Sequence, residues 1–170
     1  MDEIDIRPEV PADRDAVRLV EERAFGRPFE ADAVDALREH GKVVLSLVAE
    51  VDSRVVGHVL FSYTTIETGG SQAIEASLGP IAVLPEQQNA GIGSALVRQG
   101  LSRCRQLGFG AVFLLGNPAY YRRFGFRPAR AQGIRYHQDL PYPDAFQLVE
   151  LRDGALAGVT GVAHEEPELG

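Results

Sequence analysis

The sequence predicts a mixed α/β domain: a central twisted sheet, broken at a bulge, with helices on its flanks. Three observations carry that prediction. Segments of helical and strand periodicity alternate along the 170 residues. A glycine-bearing turn, Gln88-Asn89-Ala90-Gly91-Ile92-Gly93, joins a strand-like run from Ile74 to Leu84 to a helix-like run from Ile92 to Leu107. Inside that strand-like run stands Gly79-Pro80, and proline, with no N–H for a sheet ladder, belongs at an edge, a strand start or a bulge. A bulge at this point splays the strand from its neighbour.

The elements follow in order. Asp13 is placed to cap a helix running to about Ala24, with Ala16, Val17, Val20 and Ala24 on one face. Glu30 to Glu39 repeats the pattern through Ala33, Val34 and Leu37, so both helices should pack on the sheet. Leu45 to Val51 and Val55 to Tyr63 read as a hairpin about an Asp52-Ser53-Arg54 turn. The second strand alternates, with Val55, Gly57, Val59, Phe61 and Tyr63 on one side. Thr68-Gly69-Gly70-Ser71 is a turn into the long interrupted strand. The helix after the glycine turn directs Leu96, Val97, Leu101, Cys104 and Leu107 to the core, and Gly108-Phe109-Gly110 ends it. Ala111 to Leu115 is continuously apolar, a strand covered on both faces. Ala145 to Leu151 and then Gly154 to Gly158 should complete the sheet.

Length and composition fit one domain over residues 1–165 with a short tail at 166–170. The single cysteine excludes an intramolecular disulfide, and Cys104 reads as packing rather than as a nucleophile. The acidic start Met1-Asp2-Glu3-Ile4-Asp5 is unlike a cationic signal peptide. With no apolar run near the roughly 20 residues of a membrane span, a cytoplasmic protein without a membrane partner is expected. A net charge of −7 opposes nucleic-acid binding and mildly favours a cationic substrate. The four histidines, at 40, 58, 137 and 164, lack metal-ligand spacing, so no metal is expected.

The glycine turn carries the chemistry. A helix N-terminus leaves its first N–H groups without intrahelical partners and bears partial positive charge, so a glycine-lined turn there cradles an anion such as a phosphate or diphosphate. A mononucleotide loop needs Gly-x-x-x-x-Gly-Lys-Ser/Thr, but Gly93 is followed by Ser94 and Ala95. A dinucleotide fingerprint needs three glycines in the first βα turn, whereas two stand here in mid-chain.

Read as Gln/Arg-x-x-Gly-x-Gly/Ala, the turn resembles the diphosphate-binding signature of the GNAT superfamily of N-acetyltransferases. The surroundings agree: Leu78-Gly79-Pro80-Ile81-Ala82-Val83-Leu84-Pro85 before it, and Asn117-Pro118-Ala119-Tyr120-Tyr121-Arg122-Arg123-Phe124-Gly125-Phe126 after the next strand. With Ser46 to Ala49 and Val56 to Val59 upstream, the chain to about Gly161 resembles the YhbS-like branch of predicted acetyltransferases. The resemblance implies a GNAT acyl-CoA N-acyltransferase fold and acetyl-CoA as cosubstrate. It implies pantetheine contacts at Ile81, Ala82 and Val83, diphosphate contacts at Gln88, Asn89, Ala90, Gly91, Ile92, Gly93 and Ser94, and further cofactor contacts at Asn117 and Tyr121.

An acetyl thioester is already activated, so the enzyme must place a neutral amine, stabilise an oxyanion and let a thiol leave. The resemblance makes Tyr121, in its Tyr-x-x-x-Gly-Phe setting with Gly125 and Phe126, the acid for the leaving thiol, with Tyr120 the alternate; a packing tyrosine is the other reading. Asn117 either contacts pantetheine or is an ordinary turn residue before proline. Arg122 and Arg123 either reach phosphates or form a solvated face. The oxyanion donors are backbone amides in the segment Leu78 to Ile81, excluding Pro80.

A lysine-like amine costs about 4.6 kcal/mol to deprotonate at pH 7, an α-amine only about 1 kcal/mol, so a strong base matters for the first kind. Glu75 and His58 are the candidate bases; the other reading of His58 is a histidine bonded to backbone at the core edge, and a water relay is the third option. The acceptor pocket is expected from Phe25 to Phe29, Tyr63 and Tyr136 to Tyr142, with Glu21, Glu22 and Glu30 as its acidic groups. Ile81 and Leu115 are not small, which favours acetyl over longer acyl groups. The reading is an N-acetyltransferase acting on a primary amine of a small molecule or peptide in a ternary complex. The alternatives are a non-catalytic acyl-CoA-binding module and a protein or longer-acyl N-acyltransferase. Pairing of two copies into a homodimer is left open.

Overall fold

The computed structural model describes residues 3–170, so Met1 and Asp2 of the acidic start lie outside the described residues. The chain forms two compact units. One takes the N-terminal segment through Ser62, then Gly79–Gly100 and Glu168–Gly170; the other takes Tyr63–Leu78 and Leu101–Pro167.

In the first unit, β1 (Asp5–Pro8), β2 (Leu45–Val51), the start of β3 (Arg54–Thr68) and the end of β4 (Ser71–Val83) lie side by side in that order. Helices α1 (Arg14–Phe25) and α2 (Phe29–Glu39) cover one face, where Val17, Val34 and Leu37 meet Val48 and Leu60 in a buried cluster. Ala16 and Ala24, expected on that face, are only half-buried, and Glu21 is buried beside Val20. Asp13 precedes α1, but its carboxylate does not cap the first turn. The residue already has helical backbone at the end of a 3₁₀ turn, so the carboxylate reaches back to Val10 N–H at 2.8 Å and pairs with Arg7 at 2.7 Å.

The β2–β3 turn is tighter than expected, because Asp52 and Ser53 both have positive φ (50° and 61°), the two-residue hairpin geometry. Ala49 faces Gly57 while Glu50 faces Val55, so Val56 is the extra residue of a bulge. The expected alternation therefore breaks at its start: Val55 packs against the helix-side cluster with Leu60. β3 is buried on both faces from Val56 to Ser62 because α3 (Ile92–Gln106) covers the other one. Glycines permit that approach. A Cβ on Gly57 would stand 3.0 Å from Ile92 Cγ2 and 3.1 Å from Leu96 Cδ1, and one on Gly100 would run into the Phe61 ring. The last residues are packed here too: Glu168 pairs with Lys42 at 3.0 Å, and Leu169 joins the helix-side cluster.

The second unit holds the rest of β3 and β4 with β5 (Ala111–Leu115), α4 (Pro118–Tyr121), β6 (Arg127–Pro128), β7 (Ile134–Tyr136), β8 (Phe146–Glu150) and β9 (Gly161–Glu165). Its strand order is β3-β4-β5-β8-β6, with β9 beside both β3 and β7. β4–β5 and β7–β9 are parallel; β3–β9, β5–β8 and β6–β8 are antiparallel. Phe113 and Phe146 stack at 5.5 Å in a core with Ile66, Ile134 and Leu148. The expected strand at Gly154 to Gly158 is instead a turn, its two end glycines at φ +77° and +76°, and β9 takes the place in the sheet. Leu107, expected in the core, lies past the end of α3 and is 57% exposed. Among the described residues no helix is long and apolar enough to cross a membrane.

Candidate active site

In the first unit β4 delivers the chain to α3 through the glycine turn. Gly79 has φ +146° and precedes Pro80 through a cis peptide. After Val83 the chain is fastened to β3 by Leu84 N–H to Val56 O at 2.9 Å. A 3₁₀ turn (Pro85–Gln87) follows, and the Gln88 side-chain amide donates back to Val83 O at 3.1 Å, bracing strand against turn. Asn89 (φ +62°) and Gly91 (φ +83°) reverse the chain, a conformation cheap for glycine and tolerated by asparagine. Ala95 N–H then bonds Gly91 O at 3.0 Å, closing the first helical turn, and a helix N-terminus carries partial positive charge. No acidic residue stands in that turn, and Ile92 anchors it on Gly57. Ile81, Ala82, Val83 and Gln88 to Ser94 are thus one continuous strand–turn–helix.

In the second unit β5 ends at Leu115 and Gly116, held by Gly116 N–H to Ala145 O at 2.9 Å and by the buried Gln147 amide donating to Gly116 O at 3.0 Å. Asn117 Oδ1 accepts Ala119 N–H at 3.0 Å, capping α4, whose first residue is Pro118. Tyr121 packs on Gly116, where a Cβ would stand 2.5 Å from its Cε2, and meets Phe126 edge-on at 5.9 Å. Burial, and secondarily Tyr120, push the Tyr121 hydroxyl up to about 12. Arg123 lies over the Tyr120 ring at 4.3 Å and donates to Tyr120 O at 2.8 Å.

Both candidate bases have protein partners. Glu75 Oε1 accepts Gly110 N–H at 2.9 Å, pinning the start of β5; burial raises its carboxyl against the pull of the Gly110 and Ala111 amides. His58 is fully buried, with Nδ1 2.8 Å from Glu21 Oε2 and Nε2 2.8 Å from Ser46 Oγ. Its partners are therefore side chains, not the backbone expected. Of the expected acceptor acids, Glu22 pairs with Arg18 at 2.8 Å, Glu30 with Arg27, and Glu21 faces inward. Phe25 and Phe29 are exposed, and the Tyr63 ring tilts against Phe109 at 6.3 Å.

Sequence reasoning missed Glu165. Its carboxylate receives the Ser77 hydroxyl at 3.3 Å and faces the Tyr136 hydroxyl at 3.5 Å, and burial pushes it upward. The available signal was faint, a single Glu in an alternating segment at residues 161–165.

The glycine turn between β4 and α3 stands in one unit, and Asn117 and the half-buried Tyr121 stand at α4 in the other. Residues 14–126 match the acetyltransferase (GNAT) family, and the chain belongs to it. It is 37% identical over 161 residues to the uncharacterized N-acetyltransferase YhbS of Escherichia coli strain K12, covering 92% of this chain and 93% of that one. YjhQ of the same strain is 37% identical over 141 residues, 82% of this chain and 74% of its own. Two solved structures are similar: YhbS from Escherichia coli in complex with CoA (TM-score 0.92, 34% identity, 99% of this chain and 92% of that one) and a GNAT family acetyltransferase from Brucella melitensis in complex with acetyl-CoA (TM-score 0.80, 35% identity, 99% of each).

Proposed function

We propose that this chain moves an acetyl group from acetyl-CoA directly to a primary amine of a small molecule or peptide, with both substrates bound together in the cytoplasm. The observation that carries the reading is the turn at the start of α3, where Gly91 at φ +83° and a first helical turn free of acidic residues suit a diphosphate. The CoA and acetyl-CoA complexes of the similar structures support it.

On this reading the amides from Gly91 to Ser94 hold the diphosphate, and the backbone of Ile81, Ala82 and Val83 aligns the pantetheine arm. Gly79 and Ile81 N–H groups receive the oxyanion, since Pro80 has no hydrogen to give. Asn117 acts by setting the first turn of α4 and so the place of Tyr121. A Tyr121 hydroxyl near 12 stays protonated throughout the physiological range. It is a weaker acid than a thiol of pKa about 8.5, so it stabilises the leaving sulfur chiefly by donating a hydrogen bond.

The test is release of coenzyme A thiol from acetyl-CoA across a panel of alkylamines, aminoglycosides and N-terminal peptides, for wild type and Tyr121→Phe. Amine-stimulated release that drops at least about tenfold in the variant, with CoA binding kept, supports transfer and the role of Tyr121. Tight CoA binding with no stimulation by any amine overturns transfer in favour of a binding module.

A further inference from the structure

A recess of about 470 Å³ opens within the first unit, between the stretch that follows β1 and the stretch that leads into β2. Its two walls are tied together by Glu9 N–H to Ser46 O at 2.9 Å. Val10 and Pro11 give apolar surface on one wall, Val44 and Leu45 on the other, and Val10 is 49% exposed although apolar. The size is that of a small-molecule pocket. None of the residues around it belongs to the segments expected to hold CoA.

The charges around the recess do not balance. Glu9 accepts the Arg38 guanidinium and the Ser46 hydroxyl, and Ser46 Oγ is 2.8 Å from the buried His58, so this carboxylate is fixed in place and already compensated. Burial opposes its charge, but Arg38 and Ser46 outweigh burial and hold the carboxyl below the usual carboxylate range. The neighbouring acids are taken too, Asp13 by Arg7 and Asp35 by Arg18 and Arg38. Arg38 spends one N–H on Glu9 and one on Asp35, of the five a guanidinium carries. Its side chain is only 15% exposed, so the N–H groups left over have little open solvent to meet. Arg14, the first residue of α1, lines the same recess, is exposed, and forms no ion pair among the described residues. In a chain of net charge −7, two guanidiniums beside one already paired carboxylate mark this recess for an anion.

We propose that this recess binds a small amphipathic carboxylate, its head held by Arg14 and Arg38 and its apolar body lying along Val10, Pro11, Val44 and Leu45. A carboxylate suits guanidinium partners, whose planar forks offer it paired N–H donors. The apolar walls favour an organic anion over inorganic phosphate, which would leave that surface wet. Glu9, kept ionised beside Arg38, disfavours a ligand with more than one negative charge. Binding here needs neither CoA nor an amine, so it stands or falls apart from acetyl transfer.

The experiment titrates the full-length, isotope-labelled protein with hexanoate, acetate, hexylammonium and inorganic phosphate, following backbone amide chemical shifts, with affinities from calorimetry. Hexanoate should bind saturably at millimolar affinity or better and shift the amides of Glu9, Val10, Arg14 and Val43 to Ser46. Acetate and phosphate should bind more weakly, and hexylammonium should leave these amides unmoved. Arg14→Gln, which removes an exposed charge that has no ion partner, should weaken hexanoate about tenfold or more. Val10→Asp, at an exposed position on the wall, should abolish the shifts by like-charge repulsion. No saturable shift at these amides, equal perturbation by hexylammonium, phosphate binding as tight as hexanoate, or hexanoate affinity retained in either folded variant overturns the site. A melting transition like that of wild type shows that a variant is folded; if one variant is not, the other decides.

Discussion

Glu21 Oε2 lies 2.8 Å from His58 Nδ1, and neither side chain exposes any surface. On its other side His58 Nε2 is 2.8 Å from Ser46 Oγ, whose hydroxyl is given to Glu9, and Glu9 is paired with Arg38. Because the serine hydrogen is committed to Glu9, the serine oxygen accepts from Nε2–H. One proton is then shared between Nδ1 and Glu21, as carboxylic acid with imidazole or as carboxylate with imidazolium, and both states are neutral as a pair. Burial pushes the Glu21 carboxyl up, with His58 opposing it.

Breaking that pair from one side strands a buried polar group. Glu21→Ala or His58→Ala should each cost about 3–5 kcal/mol in urea denaturation, whereas replacing both with leucine should recover most of the loss. A double variant whose loss equals the sum of the single losses would show that the two side chains act independently.

The seating of α3 ties stability to cofactor binding. Gly100→Ala, which drives a methyl into the Phe61 ring, and Gly57→Ala, which presses on Ile92 and Leu96, should each cost about 1–3 kcal/mol. Gly57→Ala should also weaken CoA binding, because Ile92 anchors the glycine turn; calorimetric titration of the folded variant checks this. Unchanged affinity would separate the turn from its footing on β3.

Glu168 carries a pH dependence. Its bonds to His40 and then Lys42 hold its carboxyl at about 2, below the ordinary 4.5. A lowered folded value contributes stability above pH 4.5 that fades as pH drops toward about 2. Wild type should therefore melt above Glu168→Gln at pH 6, with the gap closing through that window. A gap independent of pH would locate the effect in packing of the C-terminal residues.

Cys104 should be silent to thiol reagents in the native protein. It is fully buried, and burial pushes its thiol up to about 12. Labelling should follow global unfolding in denaturant; fast labelling of folded protein at pH 8 would contradict this burial.

Much of the fold is local and was legible. β2 and β5 match their expected spans, and the glycine turn sits at the start of α3, because hydrophobic period and turn chemistry are written in adjacent residues. The misreadings share a cause. Asp13 misses the cap because a 3₁₀ turn precedes it, Val55 changes faces because of a bulge, and Leu107 is exposed because the helix stops first. Each depends on a shift of one or a few residues that periodicity does not encode.

The sequence by itself determined the glycine turn at the start of α3, the tyrosine block and the family, all short-range patterns with their own spacing. Only the tertiary structure decided which acids are held by what. Glu21 meets His58 across 37 positions, Glu75 meets Gly110 across 35, and Ser77 meets Glu165 across 88. Strand register and helix seating bring such groups together, and the pattern around each acid, read alone, is that of an ordinary solvated residue.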